Sequence, residues 1–272
     1  MHYNPDRDNP DLSGKVIIIT GAIYEILTQV PAAKDKLAFL ALDLGFFESI
    51  KTAAKTFLSF TDRLDILINN AGLMAVPEGL TVDGYEVQFG SNYMGPALFT
   101  KLLLPLLQQT AAQSNSDVRI INLSSELFRQ APKEGIVFSG LKTPLPDLNG
   151  LARYGQSKLA EFYLTQQYAK RHPDITSIAV HPGVVNTGLL DDFRKRRPWV
   201  GYLLSLVTGL FVTDVKAGAY TQLWAATTEV GNLRNGGFYR PGKREYGDAV
   251  LERHELSEKL WGWTEEELGG HC

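Results

Sequence analysis

The sequence predicts an α/β fold: a doubly wound, mostly parallel sheet with helices on both faces. Three observations carry this reading. Short apolar, β-branched runs recur without polar interruption, as expected of strands covered on both sides. Longer helical patterns lie between them, and a βαβα order implies parallel pairing through right-handed crossovers. Polar residues and glycines cluster just after the runs, where open α/β sheets bind ligands. In chain order the strand candidates are Val16–Ile19, Leu37–Leu42, Leu64–Ile68, Val118–Leu123, Ile175–Val180 and Gly237–Arg240. The helical stretches are Phe47–Phe60, Pro96–Gln109, Tyr154–Arg171 and Val215–Thr228. Asp43, Asn69 to Gly72, Ser124, Ser125 and Pro182 to Thr187 should therefore rim one crevice.

The 272 residues suit one domain spanning 1–272, with a polar extension over residues 1–13. Hydrophobic residues make up 44% and charged residues 21%, within the globular range. A net charge of −3 supplies no basic footprint for nucleic acid and no polybasic membrane anchor. The one cysteine, Cys272, excludes an internal disulfide and a cysteine-based zinc site, which favours a reducing, cytoplasmic setting. The histidines show no metal-ligand spacing, so no metal is expected. No basic-then-apolar leader is visible at the start. The longest apolar run, Trp199–Val212, is too short for a bilayer span of about 20 residues. It reads as a buried helix, a lid over an oily substrate, or a shallow membrane contact.

Tyr154 and Lys158 stand at i, i+4 on one helix face. An ammonium beside a phenol stabilises the phenolate, making the tyrosine a usable acid or base. The same spacing at Tyr239 and Lys243 encloses Pro241-Gly242 and cannot be a helical turn. Ser125 at a strand end and Asn92 near a helix start could orient a carbonyl and relay a proton. They could equally cap a turn or a helix.

The ordered motifs NNAG, SNYMG, INLSS, YxxSK and HPGxVxTG, present from about Leu12 to the final tryptophans, resemble the short-chain dehydrogenase/reductase family in its single-domain, Rossmann-like branch. The flavour is similar to retinol-dehydrogenase-like and fungal members. The resemblance implies that Tyr154 is the proton donor or acceptor, that Lys158 lowers its pKa and binds the nicotinamide ribose, that Ser125 holds the substrate carbonyl and that Asn92 holds a relay water. It implies NADP, with NAD as the alternative, bound by Thr20, Gly21, Asp43, Leu44, Asn69, Ala71, Tyr154, Lys158, Pro182, Gly183, Val185 and Thr187. His181 reads as a neighbour of that last loop. An apolar stretch at 199–212 after the HPG loop suggests a lipophilic small-molecule carbonyl or alcohol, and a homodimer would form through Pro96–Gln109 and Tyr154–Arg171. The 28 residues between Ser125 and Tyr154 read as a surface loop at the site mouth.

One departure is sharp. The family's TGxxxGxG loop begins here as Thr20-Gly21-Ala22, but Ile23 to Leu27 follow and neither later glycine exists. Asp43 comes only 23 positions after Thr20, whereas the resemblance calls for about 30 more, enough for a crossover helix and another strand. The expected fold thus lacks one strand and one helix near the N-terminus. Leu37–Leu42 is expected to pair beside Val16–Thr20 in place of the lost strand, with about six strands overall and a thinned core on one face. The competing functional expectation is a catalytically impaired or non-catalytic member.

Overall fold

The computed structural model describes residues 3–21, 36–183 and 215–271. Its centre is a six-stranded sheet of β1 (Ile17–Ile19), β2 (Ile66–Asn69), β3 (Arg119–Leu123), β4 (Thr176–Val180), β5 (Phe238–Arg240) and β6 (Arg244–Glu245), in that spatial order. The first five pair in parallel and β6 is antiparallel to β5. The helices are α1 (Pro5–Asp8), α2 (Phe47–Leu58), α3 (Val87–Phe89), α4 (Gly95–Ala111), α5 (Gly150–Arg171), α6 (Val215–Gly218), α7 (Tyr220–Thr227) and α8 (His254–Leu268), with a π turn over Gly90–Met94 between α3 and α4. The architecture is Rossmann-like, as the βαβ order predicts.

Each helix forms for a local reason. In α2, Phe47, Ile50, Ala53 and Ala54 repeat at helical spacing and bury one face. The first N–H of α2 is met from another segment, Phe47 donating to Asp83 at 2.8 Å. Asn149 caps α5, its side-chain oxygen accepting from Leu151 and Ala152 at 3.0 Å each. The predicted Val215–Thr228 helix is broken into α6 and α7. The helix α8 and the short strand β6 had no counterpart in the sequence reading.

One face of the sheet carries α2, α4, α5 and α8 in a large core that includes Leu67, Leu98, Phe99, Ile120, Phe162 and Phe238. The other face carries α7, with Ile66, Ile68, Ile121, Ile178, Trp224 and Tyr239 packed together. Among the described residues this second layer stops short of β1. Ile66 and Ile68 are 3% and 4% exposed, while their register partners Ile17 and Ile19 are 36% and 46% exposed. The thin cover expected on one face falls on the strand β1 itself.

Two expectations are corrected. Leu37–Leu42 is not a strand: residues 37–43 are irregular, and among the described residues β1 is an edge paired with β2 alone. Leu40 and Leu42 pack against the large core, Phe39 is exposed, and the run feeds straight into the Asp43 turn that opens α2. Packing, rather than strand pairing, claims these side chains. The segment between Ser125 and α5 is not a simple surface loop either, since Phe128, Ile136, Leu141 and Leu145 are buried. The stretch after Gly21 that holds Ile23 to Leu27, and the apolar run Trp199–Val212, lie outside the described residues.

The uneven cover predicts uneven mutational cost. Leu67→Ala should lower stability by about 2–5 kcal/mol. Ile19→Thr should stay within about 0.5 kcal/mol, as for exposed positions generally. Urea denaturation of the two variants checks both.

Candidate active site

Parallel pairing of β1 to β4 brings their carboxyl ends to one edge of the sheet. Thr20 ends β1, Asn69 ends β2, Ser124 and Ser125 follow β3, and His181 follows β4. Thr20 ties the first two ends together: its hydroxyl accepts from the N–H groups of Asn70 (3.0 Å) and Ala71 (2.9 Å), while Asn70 Nδ2 donates to its carbonyl at 2.9 Å.

Helix α5 lays Tyr154 and Lys158 against this edge, 6% and 5% exposed. Lys158 Nζ lies 5.5 Å from the Tyr154 ring centroid and donates to the Leu123 carbonyl at 2.7 Å. Below it, Ser124 Oγ donates to the Lys158 carbonyl at 2.7 Å. Ser125 caps the 3-10 turn Glu126–Gln130, its Oγ accepting from Leu127 N at 3.2 Å, which is the turn-cap reading of this residue. Gly155 makes this approach possible, because a Cβ there would sit 2.6 Å from Leu127 O and Ala131 N.

Asn92 sits in the π turn, a distortion that often marks functional sites. Its side chain is fully committed to protein partners: Oδ1 accepts from Leu73 N at 2.7 Å, and Nδ2 donates to Leu73 O and Ser157 Oγ at 2.9 Å each. It is therefore a clamp on the loop after β2 and not a helix cap.

Electrostatics refine the expectation for Tyr154. Burial raises the phenol above its ordinary value; Lys158 and Ser125 pull it down and Glu161 pushes it up. Lys158 acts in the expected direction, but burial outweighs it. Burial disfavours the Lys158 ammonium, yet Glu161 and Tyr154 more than restore it. Burial lifts the Glu161 carboxyl to about 7 against the pull of Lys158. His181 is lowered by burial, and its Nδ1 is buried without a partner.

The remaining candidates are spread unevenly. The Asn69 amide donates to Thr100 (3.1 Å) and to Asn122 (2.8 Å), inside the sheet rather than into the crevice. Asp43 is exposed and accepts from Gly45 N at 2.8 Å; Leu44 is buried. Pro182 and Gly183 follow His181 at the rim, half-buried. Val185 and Thr187 lie outside the described residues. Among those described, no group of three His, Cys, Asp or Glu residues could hold a metal, and no helix is long and apolar enough to cross a membrane. The residue that sequence reasoning missed is Glu161. Its only signal was an acidic group on the same helix, three residues after Lys158.

The short chain dehydrogenase family model matches residues 15–198. The chain belongs to the short-chain dehydrogenase/reductase family. It is 38% identical to an uncharacterized oxidoreductase of Schizosaccharomyces pombe, over 82% of this chain and 75% of the relative. A short-chain dehydrogenase/reductase of Emericella nidulans is 33% identical over 95% and 94%. Mouse retinol dehydrogenase 12 is 32% identical over 96% and 88%. In fold, the chain is similar to the NADPH-bound carbonyl reductase from chicken fatty liver, with TM-score 0.57, 22% identity and 84% of each chain covered. It is also similar to the 3-oxoacyl-[acyl-carrier protein] reductase of Brucella melitensis in complex with NAD, with TM-score 0.60, 18% identity and 84% and 85% covered. The S. pombe alignment runs over 256 positions, while 82% of 272 residues is about 223, so roughly 33 positions of that relative face gaps in this family member.

The clamp at Asn92 can be tested directly. Asn92→Ala strands Leu73 N and Leu73 O, while Ser157 Oγ keeps its bond to the Tyr154 carbonyl, and each buried group left unpaired costs about 1–3 kcal/mol. The variant should lose at least that much stability in urea denaturation.

Proposed function

We propose that this oxidoreductase interconverts a carbonyl and an alcohol on a lipophilic small molecule, using NADP, or NAD as the alternative. The observation that carries the reading is the convergence of buried Tyr154, Lys158 and Ser125 at the carboxyl end of β3. The nicotinamide, when bound, supplies or takes up the hydride.

The described residues fit that group at its ribose and nicotinamide end. Gly21 has φ +87° and packs so closely that a Cβ would meet Ala71 Cβ at 2.9 Å, which keeps the β1 end open and level with the β2 end. Thr20, Gly21 and Ala71 would line the group, Lys158 would reach its ribose hydroxyls, and Pro182 and Gly183 would border the nicotinamide. The diphosphate end falls to residues 22–35, outside the described part, where the sequence puts Ile23 to Leu27 in place of the glycines.

Within this frame, Tyr154 donates its phenolic proton to the carbonyl oxygen in reduction and takes it back in oxidation. Ser125 Oγ holds the same oxygen by a hydrogen bond, and the Lys158 ammonium stabilises the phenolate that remains. Asn92 keeps the loop after β2 in place. The proposed compartment is the cytoplasm, whose reducing conditions suit a chain with one cysteine. A homodimer remains part of the reading, although α5 is already covered within the subunit by α8 and the segment before it: Gln167 donates to Ser257 at 2.8 Å and Tyr163 to the Val250 carbonyl at 2.7 Å.

Titration of the full chain with NADPH and NADH, followed by fluorescence or calorimetry, tests the reading. Micromolar binding, about −8 kcal/mol, is expected. No binding at millimolar cofactor overturns it in favour of a catalytically impaired member. With a lipophilic carbonyl substrate in hand, Tyr154→Phe should cut turnover by about 100-fold or more with its melting transition retained. Substantial residual turnover would move the proton transfer to another group.

A further inference from the structure

Glu161 lies three residues after Lys158 and shares its helix face. Its side chain is 3% exposed. The two carboxylate oxygens lie 3.1 Å (Oε1) and 2.8 Å (Oε2) from Lys158 Nζ. Only Oε1 receives an aligned hydrogen bond; Oε2 is buried without a donor. The neighbouring residues Leu159, Ala160 and Phe162 are apolar and buried. An apolar side chain here would avoid the desolvation cost of a carboxylate with a single cationic partner. The position thus carries an expensive group that packing does not require, in direct contact with the cation that faces Tyr154.

We propose that Glu161 is a positioning residue that sets how much of the Lys158 charge reaches Tyr154. As a carboxylate it pairs with the ammonium, and the phenol faces a nearly neutral pair. As the neutral acid it leaves the ammonium unopposed, and the phenolate is stabilised. This rests on the reading of Tyr154 and Lys158 as the proton-handling pair.

The geometry supports the direction. The carboxylate is 2.8 Å from Nζ, while the phenol ring centroid is 5.5 Å away, so the ion pair forms first and the ring sees its residue. Lys158 and Glu161 act on the phenol with opposite signs. Burial puts the change of Glu161 near neutrality. Among the described residues, Lys158 is the charged group that perturbs Glu161. From the other elements packed around it, His181 after β4 feels Lys158, and Glu126 and Arg240 act on His181. The protons of Tyr154, Lys158 and Glu161 therefore leave in coupled steps.

The test is a phenolate absorbance titration of the full chain, with the Tyr154→Phe variant subtracted to remove the other ten of its 11 tyrosines. Glu161→Gln should move the Tyr154 titration to lower pH by about one unit, the size of an ordinary charge-pair effect. Glu161→Asp keeps the carboxylate and should titrate close to the parent. Glu161→Leu, an apolar side chain of similar size, is read in the same way should the Gln variant fail to melt cooperatively. A Tyr154 titration unmoved, or moved upward, in the carboxylate-free variant overturns the proposal. NADPH titration of the same proteins separates the two readings. Cofactor binding with an unmoved phenolate removes only the role of Glu161. A shifted phenolate without cofactor binding removes only the proposed activity.

Discussion

Burying the Lys158 ammonium costs several kcal/mol unless its donors are met, and the elements around it are arranged to meet them. The end of β3 turns a carbonyl toward it, α5 supplies Glu161, and the Tyr154 ring faces it. None of these groups could be placed without the strand register that fixes where β3 ends. The cation and the sheet are therefore one problem: the helix holding Lys158 must lie at a fixed height on the strands.

A buried polar ladder fixes that height. Asn69 and Asn122 are register partners on β2 and β3 and are hydrogen-bonded through their side chains. Thr100 on α4 and Thr165 on α5 complete the set, Asn122 donating to Thr165 at 2.9 Å and Thr165 Oγ1 to the Glu161 carbonyl at 3.0 Å. A one-residue slip would part the Asn69 and Asn122 side chains from each other and from the two threonines. The ladder thus links strand register to the helical turn bearing Glu161. It also explains why Asn69, a crevice candidate by position, spends its side chain inward.

The sheet was legible because its strands are runs of isoleucine, leucine and valine with no polar break, and the site because its polar groups fall just past those runs. The Leu37–Leu42 run carried the same signature and misled, since hydrophobicity alone does not say whether a segment pairs or only packs. Helix α8 was hidden: its buried face mixes Ser257 and Thr264 with Leu260 and Leu268, which weakens the apolar period. The pairing of Tyr154 with Lys158 was visible as spacing. The sign of the net effect on the phenol was not, because burial and the Glu161 carboxylate depend on α8 and the 3-10 turn closing around α5.

The departure after Gly21 bears on one side of the molecule. In a doubly wound sheet the strand order reverses beside the first strand, whereas among the described residues β1 is the edge. Each described parallel pair has its own crossover helix, so β2 to β5 and the segments that carry Asn92, Tyr154 and Lys158 do not depend on a strand beyond β1. The exposure falls on Ile17 and Ile19 of β1. In the proposed reading, proton handling falls to β3 and α5, and diphosphate binding to residues 22–35, where Ile23 to Leu27 stand in place of the family's later glycines. The register that holds Ser125, Tyr154 and Lys158 together is set by β2 to β4 and α5, so it does not require that glycine loop.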